Sequence, residues 1–192
     1  MIIPGIVLVL ILLFVFRKVL RVFLSPVATY NDLVTLRNTV QNAWAQIDVQ
    51  LKRRHDLISN YVEIVKGYAK HERGTLEEVA KARSRAAGAT TMAERSDAEN
   101  ALASTMKSLY AVVESYPELK ANQNFIALQH NLTETENILA GKREAYNNTV
   151  LTYNNRVQRF PTNLFAKVFR FKVRDFFELK SETEREAPKA SI

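Results

Sequence analysis

Three histidines, His55, His71 and His130, are the residues of this sequence with the widest catalytic and metal-binding chemistry. A di-metal site in a helical bundle needs Glu-x-x-His spacing, and a zinc hydrolase needs His-Glu-x-x-His. His71 is followed by Glu72 but not by a second histidine, and no histidine lies three residues after a glutamate. The sequence therefore predicts no metal site.

Cysteine and glycine patterns narrow the possible chemistry further. Cysteine is absent, which excludes disulfides, thiolate catalysis and Cys-ligated zinc. None of the five glycines stands in a Gly-x-Gly or Gly-x-Ser-x-Gly pattern, so neither a phosphate-binding loop nor a nucleophile elbow is indicated. We expect a protein that is not an enzyme, has no catalytic residues and uses no cofactor.

Basic and aromatic residues near the C-terminus offer a different chemistry, that of binding. The stretch VQRFPTNLFAKVFRFKVRDFF, residues 157–177, contains six of the ten phenylalanines. A short basic helix rich in Phe is typical of membrane interfaces, but the same pattern fits a cap on a helical bundle or a contact between subunits. All three interpretations stay open. The candidate contact residues are Phe165, Lys167, Phe169, Arg170, Phe171 and Arg174.

The net charge of +7 is concentrated in two segments. Residues 1–24 contain three basic residues and residues 156–174 contain six, with no acidic residue in either segment, whereas residues 25–155 are neutral. A nucleic-acid-binding domain usually has a basic stripe along its surface. We therefore expect no nucleic-acid partner.

The N-terminus predicts a membrane anchor over residues 1–25. Residues 2–16 are 15 uncharged residues, and the apolar residues that follow bring the segment closer to the ~20 that span a bilayer. A signal peptide has its basic residues before the apolar run, but Arg17, Lys18 and Arg21 follow it here. These three orienting charges predict an N-terminus outside and a cytoplasmic domain.

Apolar residues at three- and four-residue steps predict long helices after Pro26. The first helix covers residues 27–66. The second begins at a capping box of Thr75 and Glu78 and ends at residues 116–117. Residues 88–91 are its weak point, and Ser96 with Glu99 is a second capping signal at which the helix could start again. The third runs from residues 122–124 to residue 160, and a short fourth covers residues 162–171.

The predicted fold class is all-α: an N-terminal transmembrane helix, then an antiparallel bundle of three long helices plus a short fourth helix. The expected domains are the anchor at residues 1–25, the bundle at residues 26–177 and a disordered polar tail at residues 178–192. No strand pattern competes with this interpretation.

Three features inside the helices have structural interpretations. Arg54 interrupts the apolar stripe of the first helix and is expected to pair with Asp56 or with an acidic residue of a facing helix. Trp44 is expected in the core. A Tyr-Asn-Asn unit occurs at residues 146–148 and again seven residues later, which places both copies on one helical stripe and predicts hydrogen bonds between helices.

Three sequence blocks together resemble the LemA family: YNDLVTLRNTVQNAWAQIDVQLKRRHDLISN, ESYPELKANQNFIALQHNLTETEN and REAYNNTVLTYNNRVQRFPTNLFAKVFRF. The resemblance covers residues 30–171. Ser59 stands where the family usually has Pro, and Arg170 stands where Gly is common. The resemblance implies a bacterial membrane-anchored helical bundle without an established enzymatic activity.

Two functions follow as expectations. The first is a membrane-anchored scaffold that self-associates and organises the membrane or other membrane proteins. The alternative is an adaptor or regulatory subunit for a membrane protease or a signalling system. The expected partners are the lipid bilayer through the N-terminal helix, further copies of the chain, and another membrane protein.

Overall fold

The computed structural model describes residues 2–177 and, among the first 25 residues, the side chains of residues 12–14, 17 and 18. This part contains no strand, which confirms the all-α fold class. The predicted tail at residues 178–192 and the side chain of Arg21 lie outside it. The helices are α1 (Ile2–Tyr68), α2 (Arg73–Gly88), α3 (Met92–Glu114), α4 (Pro117–Lys120), α5 (Gln123–Gln158) and α6 (Thr162–Val168).

Helix α1 is a single helix of 67 residues that continues through Pro26. The apolar stripe predicted for it is buried at Leu33, Val40, Ile47, Leu51, Ile58, Tyr61 and Val65. Tyr68, the last residue of α1, is 40% exposed and lies outside this stripe.

The transmembrane helix predicted over residues 1–25 is not confirmed. In residues 2–177, no helix is both long and apolar enough to cross a bilayer. The uncharged run at residues 2–16 is shorter than the ~20 residues that a span requires.

The predicted second helix is two helices, α2 and α3, followed by the single turn α4. Its predicted starts are both wrong. Helix α2 begins at Arg73 without a side-chain cap, two residues before Thr75. The capping box lies instead at Thr91 and Glu94: the Thr91 hydroxyl accepts from the Glu94 N–H at 3.2 Å, and Glu94 Oε2 accepts from the Thr91 N–H at 3.1 Å. This reciprocal pair starts α3 before Ser96, which is buried inside the helix.

The fourth helix ends three residues earlier than predicted, because Arg170 turns the chain with a left-handed φ of 58°. The Phe171 N–H donates to the Ala166 carbonyl at 2.8 Å and the Arg170 N–H donates to the Lys167 carbonyl at 3.2 Å. These two bonds define a Schellman motif, which usually has glycine at the left-handed position. Residues 171–177 then continue without helical structure.

The described residues form two compact units. The first unit contains residues 2–42 and 148–174, and therefore the beginning of α1, the end of α5 and all of α6. Its buried apolar side chains are Leu33, Val40, Val150, Tyr153, Val157, Ala166 and Phe171. Asp32 and Arg156 form an ion pair at 2.6 Å on its surface.

The second unit contains residues 43–147 and 175–177. A single apolar cluster joins α1, α2, α3, α4 and α5 within it, and its largest members are Tyr61, Phe125, Ile58, Leu102, Leu109, Leu119 and Leu132. Trp44, predicted in the core, is only half-buried. The predicted domain limits at residues 1–25, 26–177 and 178–192 stay a prediction.

Candidate functional site

In the first unit, two neighbouring residues of α5 hold the main chain of the C-terminal segment. The Tyr153 hydroxyl donates to the Lys172 carbonyl oxygen at 2.9 Å. Asn154 bonds both main-chain groups of Arg174: its Nδ2 donates to the carbonyl oxygen and its Oδ1 accepts from the N–H, each at 2.8 Å. A neutral amide carries one donor group and one acceptor, so a single Asn can satisfy both groups of one residue.

The same unit holds one aromatic ring of that segment, Phe171, which is 9% exposed. Its ring lies edge-on to Tyr30 at 5.7 Å between centroids, and Arg37 Cζ lies 5.5 Å from its centroid. The geometry is that of an aromatic pair with a cation over the ring. We call Tyr30, Arg37, Tyr153 and Asn154 the first clamp.

In the second unit, Tyr146 and Asn147 repeat the arrangement on the next part of the segment. The Tyr146 hydroxyl donates to the Asp175 carbonyl oxygen at 3.0 Å. Asn147 Nδ2 donates to the Phe177 carbonyl oxygen at 3.1 Å, and Asn147 Oδ1 accepts from the Phe177 N–H at 2.9 Å. Both main-chain groups of Phe177 are therefore satisfied by one amide.

The Phe177 side chain, 3% exposed, is held by Trp44 and Arg143. The Trp44 and Phe177 centroids are 6.0 Å apart, and Arg143 Cζ lies 5.0 Å from the Phe177 centroid. Burial of the Arg143 guanidinium, together with the nearby charge of Arg54, lowers the pKa of Arg143. We call Trp44, Arg143, Tyr146 and Asn147 the second clamp.

The clamps bind the segment through its main chain and through one Phe each. The side chains of residues 172–176, which lie between Phe171 and Phe177, are all exposed. The Tyr-Asn repeat was predicted to make hydrogen bonds between helices. That partner is wrong: the repeat bonds a non-helical segment, whose main-chain N–H and C=O groups are not used by a helix and need other partners.

The predicted contact residues are distributed over buried and exposed positions. Phe171 is buried, Phe165 is half-buried, and Phe169 is 48% exposed although its ring lies 4.9 Å from that of Tyr30. Lys167, Arg170 and Arg174 are exposed. Their contact with a subunit or with lipid stays a prediction.

Three apolar side chains of α6 and of the turn before it are exposed. Phe160, Leu164 and Val168 are 74%, 54% and 74% exposed. Leu164 and Val168 are four residues apart and lie on one side of α6, and Phe160 lies in the turn before the helix. Helical spacing predicts an apolar face of Leu164, Val168 and Phe171. The first two are exposed on α6, whereas Phe171 lies beyond the end of the helix and is buried.

Arg54 belongs to a buried ion-pair network in the second unit. Arg54 Nη1 lies 2.6 Å from Glu99 Oε2, His55 Nε2 lies 2.8 Å from Glu99 Oε1, and Glu99 is fully buried. Arg54 Nε is also 2.5 Å from Glu136 Oε1, a close charge contact without hydrogen-bond alignment. The predicted pairing of Arg54 with an acidic residue of a facing helix is confirmed.

The network is a structural charge cluster. Burial raises the pKa of Glu99, but the hydrogen bond to His55 and the charges of Arg54, His55 and Arg143 outweigh this effect and leave the pKa below its usual value. Both Glu99 oxygens are occupied by Arg54 and His55. Across residues 2–177, no three or more His, Cys, Asp or Glu side chains are arranged to hold a metal ion.

Comparison with known proteins gives a family match and several distant relatives. The model of the LemA family matches residues 43–191. Magnetosome protein MamQ 2 of Paramagnetospirillum magneticum is 23% identical over 177 aligned residues, covering 79% of this chain and 65% of that protein. Protein LemA of Metamycoplasma hominis is 24% identical over 138 residues, covering 71% of this chain and 63% of that protein. The chain thus spans just under two thirds of the length of these curated relatives.

Proposed function

Since this chain belongs to the LemA family, we propose that it is a non-enzymatic helical scaffold that self-associates at the inner membrane and organises the membrane or its proteins. The exposed apolar face of α6, formed by Leu164 and Val168, carries this proposal, together with exposed Phe160 in the turn before it. Single exposed apolar residues are common, but a contiguous apolar face marks an interaction surface. The occupant we propose for it is a second copy of the chain.

Symmetry favours a second copy on this face. In a two-fold contact the same patch of each subunit faces the other, so an apolar face meets an apolar face. Charged residues beside it, Arg159 and Lys167, are exposed and can stay in water at the rim of such a contact. The α6 face is therefore the self-association surface in this proposal.

Attachment to the membrane through residues 1–25 is the second part of the proposal. Leu12, Leu13 and Phe14 are 59%, 53% and 63% exposed. Consecutive residues of a helix point about 100° apart, so these three side chains present apolar surface on more than one side of α1. Arg17 and Lys18 follow them and are exposed, which favours a cytoplasmic position for the domain.

The test is the mass of the full chain in detergent micelles, measured by sedimentation at micromolar concentration. We expect the wild type to be larger than one chain. Replacing Leu164 and Val168 by Ser should give a single chain with unchanged helical circular dichroism, because both side chains are exposed. The matched control, Lys167→Gln on the same helix, should leave the mass unchanged. A wild type that sediments as one chain would remove the basis of the proposal.

The exposed cations of the same region favour a second candidate function, that of an adaptor for an acidic partner. Lys167, Arg170 and Arg174 are all exposed and lie within eight residues of one another. A membrane protease or signalling protein bound through them would co-purify in a fixed ratio with the full chain. Replacing the three residues by Gln should release that partner and leave the mass of the scaffold unchanged. Release by Leu164→Ser instead would assign the contact to the apolar face.

A further inference from the structure

We propose that the second clamp is an acceptor site for a non-helical segment of a second copy of this chain. The segment is residues 175–177, which the same site holds within one chain in this structure. The inference rests on the self-association proposed above and gives it a specific interlocking contact. It assigns a ligand-binding role to Trp44, Arg143, Tyr146 and Asn147.

Recognition of the main chain is the first step of the argument. Asn147 bonds the N–H and the carbonyl oxygen of Phe177, at 2.9 and 3.1 Å, and Tyr146 bonds the Asp175 carbonyl oxygen. All three bonds go to groups that every residue except proline presents in an extended segment. The bonds therefore fit the segment of another copy as well as they fit the chain's own.

Recognition of one side chain makes the site selective. The Phe177 ring fills the space beside Trp44 and Arg143, whereas the Phe176 side chain next to it is 39% exposed. The ligand class is thus a non-helical polypeptide segment with an aromatic residue two positions after the residue whose carbonyl oxygen Tyr146 binds. Residues 175–177 are the segment shown to meet both requirements.

The segment can leave the second clamp because water can replace part of the contact that Phe177 makes with Arg143. With Phe177 in place, Arg143 Nε and Nη2 are buried and have no hydrogen-bond partner among the described residues. When Phe177 leaves, water can reach both atoms, and this hydration offsets part of the lost cation–π contact. Asp175 and Phe176 are exposed, so they add little burial to the bound state.

Self-association would make exchange between copies competitive. The chain's own segment has the advantage of being tethered near the clamp. In two copies that contact each other through α6, the segment of each copy is tethered close to the contact in sequence, because Val168, the last residue of α6, precedes Asp175 by only seven positions. A high effective concentration of the second copy's segment is the expected result.

The experiment is a complementation between two full-length variants in detergent. Phe177→Ala makes a chain whose own segment is defective but whose clamp is intact. Asn147→Ala makes a chain whose clamp is defective but whose segment is intact. We expect an equimolar mixture to form mixed dimers, detected by capture through a tag on one variant, about tenfold tighter than either variant binds to itself.

Matched controls come from the adjacent Asn148, which is exposed. A mixture of Phe177→Ala with Asn148→Ala should show no such gain, since the Asn148 variant keeps its own segment in its own clamp. A fluorescent peptide of residues 169–177 gives a second measurement on the Phe177→Ala chain. It should bind, and methylation of its Phe177 nitrogen should weaken binding by about tenfold, the equivalent of one hydrogen bond.

The outcomes separate this inference from the proposed function. If the mixture binds no better than each variant alone, exchange between copies is overturned. This holds even where the peptide binds, because peptide binding shows only that the clamp accepts a free segment. Peptide binding that is unchanged by the N-methyl group overturns recognition of the main chain.

If wild type self-associates in either case, the scaffold proposal stands. If wild type and mixture are both single chains, both proposals fail. Circular dichroism on each variant confirms that the helices remain folded.

Discussion

The two clamps use the same kinds of side chain in units of different electrostatic character. Each has a Tyr and an Asn of α5 on the main chain, and an Arg and a further aromatic ring on one Phe. The ion pair of the first unit, Asp32 with Arg156, is 43% and 42% exposed, whereas Arg54 and Glu99 of the second unit are 5% and 0% exposed. The same kinds of side chain therefore hold the segment beside an exposed ion pair in one unit and a buried one in the other.

A further parallel concerns the arginines over the rings. Arg37 Nε in the first unit and Arg143 Nε in the second are both buried without a hydrogen-bond partner among the described residues. Each guanidinium instead faces a Phe ring, at 5.5 Å from Phe171 and 5.0 Å from Phe177. The ring face offers such a cation a partial replacement for water. Each Phe therefore compensates for the burial of the Arg beside it.

The largest difference between the units should appear when their ion pairs are broken. Glu99→Ala leaves Arg54 buried without its main partner and should cost about 3–5 kcal/mol in the free energy of unfolding. Asp32→Ala removes a half-exposed pair and should cost at most ~1 kcal/mol. Urea unfolding of the full chain in detergent, followed by circular dichroism, measures both. Equal losses of unfolding free energy in the two variants would show that the burial of an ion pair does not determine its contribution to stability.

An independent check is the pH dependence of stability. The pKa of Glu99 is lower in the folded chain than its usual value, so its contribution is present above the unfolded pKa. It is lost as the pH falls through the folded pKa. We expect wild type to lose stability on acidification more steeply than Glu99→Gln, in which this titration is absent.

Helical periodicity predicted the supporting elements well, for a physical reason. Burial at Leu33, Val40 and Ile47 follows directly from the 3.6-residue repeat of α1. Short capping signals were less reliable. Thr75 with Glu78 has the pattern of a capping box but lies inside α2, whereas the same pattern at residues 91–94 does start α3. The pattern alone does not reveal which Thr precedes the first turn.

The clamps were only half predictable from the sequence. The Tyr-Asn repeat indicated a hydrogen-bonding stripe, but nothing local to it names a partner that follows 20 residues later for Asn154 and 30 for Asn147. The fourth helix was also predicted to extend to Phe171, so a non-helical partner segment beginning at that residue was not expected. That helix stops because Arg170 adopts a left-handed conformation, which is uncommon for a residue other than glycine.

The third prediction asks whether the clamps act independently. Asn154→Ala and Asn147→Ala each remove two hydrogen bonds to the segment and should cost about 1–2 kcal/mol. Hydrogen exchange should accelerate at the Arg174 amide in the first variant and at the Phe177 amide in the second. The exposed neighbours supply the controls: Asn155→Ala and Asn148→Ala should leave both amides protected. Acceleration of both amides by either clamp variant would mean that the segment detaches as a whole.

The smallest predicted effect concerns the turn at Arg170, through which the chain enters the first clamp. The chain reaches Phe171 through Arg170, whose φ of 58° costs a non-glycine residue about 1 kcal/mol or more. Arg170→Gly removes this cost but adds freedom to the unfolded chain, so we expect a net gain of about 0.5 kcal/mol in unfolding free energy. Lys172→Gly, at a nearby exposed position without a left-handed φ, adds the freedom alone and should destabilise. The turn at Arg170 leads directly into the part of the segment that the first clamp holds, whereas Phe177 is held separately by Asn147. The gain in stability should therefore protect the Arg174 amide without changing exchange at the Phe177 amide. A loss of stability in Arg170→Gly would instead mean that the arginine side chain, rather than its backbone, determines the turn.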